Sequence, residues 1–339
     1  MSTAAARDDR IVLRFLATPS DTAAGGRSVA AGSVMEWIDK AGYACAVGWA
    51  GGYCVTAYVG NVRHRHPIPP GSLVEVQARI IHTGRSSMQV VVTVSSADIA
   101  SRTYDPATTC LLVFVAKDRD GTPTPVPEWV PRSRADHELS AAAQARIPAR
   151  TEIKRRMLEQ EYTDATASSR TTLRFLVPPS VVNFGGNAHG GTVMRWIDEA
   201  AYACATAWYG TADAAATPTA ATPAAGTAVA VYSGGIHFVQ PVHIGDLVDV
   251  EARLIHTGER SMHLSIRVES ADPRSPFRRA LTTQCMSVFV VPSADGAALP
   301  VPQWHPQLDE DLRLNAHARD LIERRREIVP IPAALTLEP

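Results

Sequence analysis

The sequence predicts an α+β protein in which one unit occurs twice, each copy an antiparallel sheet wrapped around a central helix, with further helices between and after the copies. Blocks of sequence recur in the same order along the 339 residues: "LRFL" at 13–16 and 173–176, "VMEWIDKAGYACA" (34–46) and "VMRWIDEAAYACA" (193–205), "LVEVQARIIHTGRSSM" (73–88) and "LVDVEARLIHTGERSM" (247–262). Such order at a long period marks a duplicated domain, not a solenoid. Each copy also carries one segment with an apolar stripe of helical spacing: Met194, Ile197, Ala201, Cys204 and Trp208 in the second copy. Long β-rich runs follow that segment, and a single striped helix followed by strands suits a sheet that buries the helix against one face.

The expected boundaries are 10–131 for the first unit, 132–168 for a helical linker, 169–305 for the second unit and 306–339 for a helical tail. In the second copy Gly190 and Gly191 precede the helix and Thr192 begins it, a close backbone turn into a helix N-terminus. Strands are expected at 228–239, 246–258, 261–270 and 282–292, the middle two joined by a hairpin at His256–Arg260 that contains Gly258. An Ala/Thr/Pro insertion at 210–226 has no apolar periodicity and reads as a mobile surface loop. The segments 133–162 and 308–328 are charged, helix-prone and of mixed sign, which suits connecting helices and not a basic nucleic-acid arm.

Composition narrows the function classes. A 45% hydrophobic, 20% charged chain of formal net charge −1 is an ordinary globular protein with no whole-molecule field for nucleic acid or anionic lipid. No apolar run reaches membrane-spanning length and no leader is evident, so membrane insertion is not expected and a cytoplasmic location is. Cys45, Cys54, Cys110, Cys204 and Cys285 show no metal-ligand spacing; they read as small core residues in a reducing compartment, with neither metal nor disulfide.

Polar residues on the repeated helix separate by geometry. Glu36 and Lys40 in one copy, and Arg195 and Glu199 in the other, are opposite charges four apart on a solvated face, worth about 0.2–0.5 kcal/mol a pair. Asp39 and Asp198 lie instead at the edge of the apolar stripe. A carboxylate there needs a partner: either it braces a loop backbone or a tryptophan N–H, or it serves as base or nucleophile in a partly dry cleft.

The loop before the helix differs between copies. "NFGGNAHGG" (183–191) offers Asn187 and His189 ahead of Gly190 and Gly191, whereas "GGRSVAAGS" (25–33) puts Ser28 opposite Asn187 and Ala30 opposite His189. Free N–H groups at a helix N-terminus can hold a developing oxyanion. Asn187 can orient a carbonyl or a water, and His189 can either move a proton or brace the loop.

"GGNAHGGTVMRWIDEAA", "FVQPVHIGDLVDVEARLIHTGERSMHLSIRV" and the "VFV…DG…PVP" pattern together resemble the hotdog-fold acyl-CoA thioesterases, above all their tandem members, over roughly 10–130 and 170–305. The resemblance implies two hotdog domains side by side, hydrolysis of acyl-CoA to free fatty acid and CoA, no cofactor beyond the CoA of the substrate, and a homo-oligomer of three two-domain chains. It also implies a site shared between domains: Asp39 as general base or nucleophile, Asn187 across the interface positioning carbonyl or water, Gly190 and Gly191 as oxyanion donors, and His189 nearby. Arg85, Ser86 and Ser87, or Arg260 and Ser261, match the segment near CoA; a plain hairpin with a surface arginine is the alternative. The opposite cleft would pair Asp198 with Ser28 and Ala30 and departs from the family pattern, so it is expected to be vestigial. "RHRHP" (63–67) reads as a phosphate-holding cluster or a charged strand edge. Two other functions stay open from the sequence: an enoyl-CoA hydratase or dehydratase of the same fold, and a non-catalytic acyl-CoA binder or sensor.

Overall fold

A computed structural model describes residues 7–23, 26–101, 103–211 and 227–331; residues 212–226 of the insertion expected at 210–226, and the end of the tail, lie outside them. The first copy runs β1 (Arg10–Leu16), α1 (Ala31–Ala50), β2 (Cys54–Val59), the short β3 (Val62–Arg63), β4 (Leu73–Thr83), β5 (Ser87–Ala97) and β6 (Asp105–Ala116). Helices α2 (Arg134–Ala145) and α3 (Ile147–Leu158) lead to the second copy: β7 (Arg170–Leu176), α4 (Gly190–Gly210), β8 (Val229–Phe238), β9 (Leu247–Thr257), β10 (Met262–Ala271) and β11 (Ala280–Val290). Helix α5 (Asp309–Arg326) follows.

The strands form one sheet in the order β1-β4-β5-β6-β2-β8-β11-β10-β9-β7, with β3 also paired to β8. Every pairing is antiparallel. The halves join where Tyr58 faces His237 and Val59 faces Ile236, so their two sheets are continuous. "RHRHP" is therefore no free edge: Val62 and Arg63 pair with Ser233 and Tyr232 in the middle of the sheet.

Alternation along the strands sends one row of side chains to the helices and the other outward. Met35, Ile38 and Cys45 of α1 join Val74, Val76 and Ile80 of β4 in the core, and Met194, Ile197 and Cys204 of α4 join their counterparts on β9. Trp37 and Trp196 belong to that core and Trp208 packs against it. All five cysteines are free and buried. Where α1 rests on β6, a Cβ on Gly42 would lie 2.9 Å from the Phe114 ring, so close packing excludes a larger residue.

The outer face is covered by the linker and tail helices. Leu139 and Ala143 of α2 sit on Ile81, Val91 and Leu111. Leu314, Ala318 and Leu321 of α5, with Ile153 and Met157 of α3, sit on Ile255 and Met286. Matching arginines tie these helices down: Arg79 on β4 to Asp136 of α2, and the fully buried Arg253 on β9 to Glu310 of α5 at 2.6 Å. The repeat thus carries on past "PVPEW" and "PVPQW" into α2 and α5, further than the sequence blocks alone suggest.

The two central helices run in opposite directions, the first turn of each packed on the second turn of the other. A Cβ on Gly32 would lie 3.0 Å from the Arg195 Cα, and one on Gly191 would lie 2.9 Å from the Glu36 Cα. The expected surface pairs are present, Lys40–Glu36 at 2.9 Å and Arg195–Glu199 at 3.7 Å, and Arg195 also reaches Glu36 of the other copy at 3.6 Å.

Candidate functional site

Asp39 and Asp198 occupy related positions. Each is buried, 3% and 9% exposed, and each reaches across to the first turn of the opposite helix. Asp39 Oδ2 accepts the Gly191 N–H at 2.7 Å, and Asp198 Oδ2 accepts the Gly32 N–H at 2.8 Å. A carboxylate at a helix N-terminus satisfies a donor that the helix leaves free and meets the positive end of its dipole.

The second oxygens differ. Asp39 Oδ1 accepts the Thr56 hydroxyl at 2.7 Å. Thr56 pairs with Phe114 on β6, and the residue that pairs with the equivalent Phe289 is Ala230, so Asp198 has no hydroxyl at that place. Burial raises the Asp39 carboxyl above its ordinary 3.8; Thr56, Gly191 and the nearby His189 oppose that rise. Burial raises Asp198 to about 6, opposed by the Gly32 N–H.

A cleft of about 190 Å³ opens beside Asp39. Its walls come from both copies: Asp39, Tyr43, Tyr53–Ala57, Val115 and Lys117 from the first, and Asn183, Asn187–Gly190, Val193 and Phe238–Val242 from the second. Asp39, Asn187, His189 and Gly190 are therefore brought together as wall residues of one groove. The helix begins at Gly190, two residues earlier than Thr192, with His189 in extended geometry ahead of it.

Gly191 does not have the role expected of it. Its N–H is taken by Asp39, because the acid must be satisfied where it is buried. Gly190 is the first helical residue, where no intrahelical acceptor exists; its N–H has no partner among the described residues, and the residue lines the cleft. A Cβ there would stand 3.0 Å from Thr56 Oγ1 and 3.2 Å from Asp39 Oδ1.

The loop is held by its own amides and by the first copy. Asn183 Oδ1 accepts the N–H groups of Gly185 at 2.8 Å and Asn187 at 3.1 Å, and its Nδ2 donates to Ala188 O at 3.4 Å. Asn187 Nδ2 donates to Gly185 O at 3.2 Å. Gly186 has φ +79°, and a Cβ on Gly185 would overlap the Tyr53 ring at 2.2 Å, so both glycines are required. His189 presents its ring to the edge of Tyr43, centroids 6.2 Å apart at 89°.

The hairpin residues are elsewhere. Arg85, Ser86, Ser87, Arg260 and Ser261 do not line this cleft. Arg260 pairs with Glu259 at 3.5 Å, and Ser261 Oγ sits 3.2 Å from His263 Nε2, contacts within the turn itself. Among the cleft residues with a positive side chain it is Lys117 that stands in the wall. Ser28 contributes its carbonyl to Ala23 N–H at 2.9 Å, a loop contact and no side-chain chemistry beside Asp198. Thr56, Asn183, Tyr43 and Lys117 escaped the sequence reading. The signal was available for three of them, since the aligned residues of the other copy are Ala230 for Thr56, Ala24 for Asn183 and Pro292 for Lys117.

The thioesterase superfamily model matches residues 27–102 and 185–277, once in each copy. The acyl-CoA thioester hydrolase YciA of Salmonella typhimurium is 34% identical over 120 residues, which cover 90% of that protein and 34% of this chain. The chain belongs to the thioesterase superfamily. Mouse acyl-coenzyme A thioesterase 11 is 25% identical over 296 residues, 83% of this superfamily member but 47% of the mouse protein, so the chain spans about half of that relative. A crystal structure of a putative oleoyl thioesterase from Lactobacillus plantarum superposes on 83% of the chain, and on 96% of its own, with a TM-score of 0.56 at 10% identity. That likeness is one of fold alone; together with the family match it supports hotdog-fold domains built on an antiparallel sheet. Among the described residues no helix is long and apolar enough to cross a membrane, and no group of three or more His, Cys, Asp or Glu is arranged to hold a metal ion.

Proposed function

We propose that the chain hydrolyses acyl-CoA thioesters in the cleft between its two halves, with Asp39 as the acid-base or nucleophilic group. The observation that carries this reading is the asymmetry of the two buried aspartates. Asp39 alone combines a hydroxyl partner, a helix N-terminus and an open cleft built with the other copy's loop. In this reading water adds to the thioester carbonyl carbon as Asp39 takes its proton, or Asp39 adds first and water releases the acyl group. The C–S bond breaks and the CoA thiolate leaves with a proton. The free N–H of Gly190 faces the developing oxyanion, supported by the helix dipole. Asn183 and Asn187 hold the loop and present amides to the carbonyl or the water, Thr56 orients Asp39, and Lys117 offers a cation to the phosphates of CoA. His189 braces Tyr43.

Asp198 keeps the same contact with the opposite helix without Thr56, Asn187 or His189 equivalents, and we assign it a structural part. A cytoplasmic location and dissolved acyl-CoA as substrate are part of the same proposal. The sheet ends in two edge strands that expose Val12, Leu16 and Leu176, which suits assembly of three chains; light scattering on the eluting protein should give three times the 36.4 kDa chain mass, and a value of one chain mass would refute it. Release of free thiol from acyl-CoA, followed with a thiol reagent, tests the activity: turnover is expected. Binding without thiol release would leave a sensor, and loss of enoyl absorbance without thiol release would leave a hydratase.

A further inference from the structure

One helical turn beyond Asp39, on the same side of α1, stands Tyr43, whose side chain forms part of the cleft wall. Three rings box it. Phe114 lies edge-on at 6.5 Å and 62°, His189 at 6.2 Å and 89°, and Phe184 stacks at 6.5 Å and 9°. Phe184 is 90% exposed, so the stack is the last layer before solvent. With rings on several sides Tyr43 cannot swing away without moving the loop that carries Asn183 and Asn187.

The space left is small. An apolar cavity of about 150 Å³ takes a six-carbon ring. On that scale the 190 Å³ beside Asp39 holds on the order of eight carbon atoms. The thioester and the end of the thiol arm must share it. Val55, Val115, Val193, Phe238 and Val242 complete an apolar lining fit for hydrocarbon. We propose that Tyr43 is the wall that limits acyl length, and that the preferred substrates are short-chain acyl-CoAs, with about six carbons or fewer on the same volume scale.

This rests on the thioesterase reading above, and the experiment separates the two. Thiol release is measured on acetyl-, butanoyl-, hexanoyl-, octanoyl-, dodecanoyl- and hexadecanoyl-CoA, as kcat/KM, for wild type, Tyr43→Ala, Tyr43→Phe and Tyr202→Ala. Wild type should decline beyond hexanoyl-CoA. Tyr43→Ala opens a ring-sized space and should move the optimum longer by roughly four to six carbons. Tyr43→Phe keeps the ring and should keep the wild-type profile. Tyr202→Ala alters the matching place on α4 and should keep it too. A Tyr43→Ala enzyme slowed equally on every chain length, or a wild type that already prefers hexadecanoyl-CoA, overturns the proposal. If Tyr43→Ala does not fold, Tyr43→Leu is measured in its place, with a smaller shift in the same direction expected. No thiol release by wild type from any of the six would bring down the thioesterase reading itself.

Discussion

Asp39 and Asp198 show how two identical residues on two near-identical helices come to differ in chemistry. Both are buried and both cap the opposite helix, so the difference lies in what meets the second oxygen. Asp39→Asn should lower kcat by roughly 10²–10⁴-fold, while Asp198→Asn should leave steady-state kinetics near wild type. Thr56→Ala removes a hydrogen bond to a charged group, worth about 1.5–3 kcal/mol, and should cost tenfold or more in kcat with Thr56→Ser recovering most of it. Asn183→Ala should be at least as damaging as Asn187→Ala, because Asn183 both lines the cleft and ties three loop groups; the reverse ranking in kcat would show that Asn183 only shapes the loop. Since burial raises the Asp39 carboxyl, kcat/KM should fall on the acid side through a pKa above the ordinary 3.8, and an acid limb at or below 3.8 would contradict its burial. At this scale much of the site was legible: an acid interrupting an apolar stripe, and a polar loop kept in one copy. Thr56 was marked only by its contrast with Ala230 in the other copy, and a threonine in a strand is unremarkable until its partner Asp39 is known. The oxyanion role of Gly191 failed for a related reason, because spacing does not reveal that a buried acid consumes the nearest N–H.

At the scale of elements the decisive contact is the crossing of α1 and α4, where each helix gives the N–H of its second residue to the other's carboxylate. The cost of that arrangement is pH-dependent. Asp198 titrates near 6 in the folded chain against 3.8 as a free side chain, so between those values the folded state binds more protons than the unfolded one. Stability from this group is therefore greatest below 3.8 and is lost as pH rises through about 6, a swing of about 3 kcal/mol. Asp198→Asn should flatten that slope in urea titrations and be the more stable protein at neutral pH; an unchanged slope would place the titration elsewhere. Gly32→Ala should destabilise by about 1–3 kcal/mol through overpacking, because its Cβ meets the Arg195 backbone at 3.0 Å; a melting temperature equal to wild type would mean the helices separate freely. The helix of each copy and the four long strands of the second were legible from period and hairpin chemistry. The roles of α2 and α5 were not: their charge suggested linkers, yet Leu139 and Leu314 with Arg79 and Arg253 make them lids of the sheet's outer face.

The whole molecule is one sheet folded from two sequence copies, and the seam between β2 and β8 makes the halves depend on each other. Far-UV dichroism and tryptophan fluorescence should lose signal together in urea; two separated transitions would mean that the halves are independent. The same seam explains why duplication allowed asymmetry. In a symmetric pair of identical chains both clefts must change together, whereas fusion let one cleft keep Thr56, Asn183, Asn187 and His189 while the other retained Ala230, Ala24, Ser28 and Ala30 in their places. The number of copies was plain from the sequence, but not the seam, because "RHRHP" and "HFVQP" gave no sign that their strands lie side by side. One measurement bears on the central claim more directly than the rest: thiol release from butanoyl-CoA by wild type, Asp39→Asn and Asp198→Asn at matched concentration, with folding checked by dichroism. One working cleft per chain predicts turnover by wild type and Asp198→Asn and almost none by Asp39→Asn; turnover retained by Asp39→Asn and lost in Asp198→Asn would contradict it.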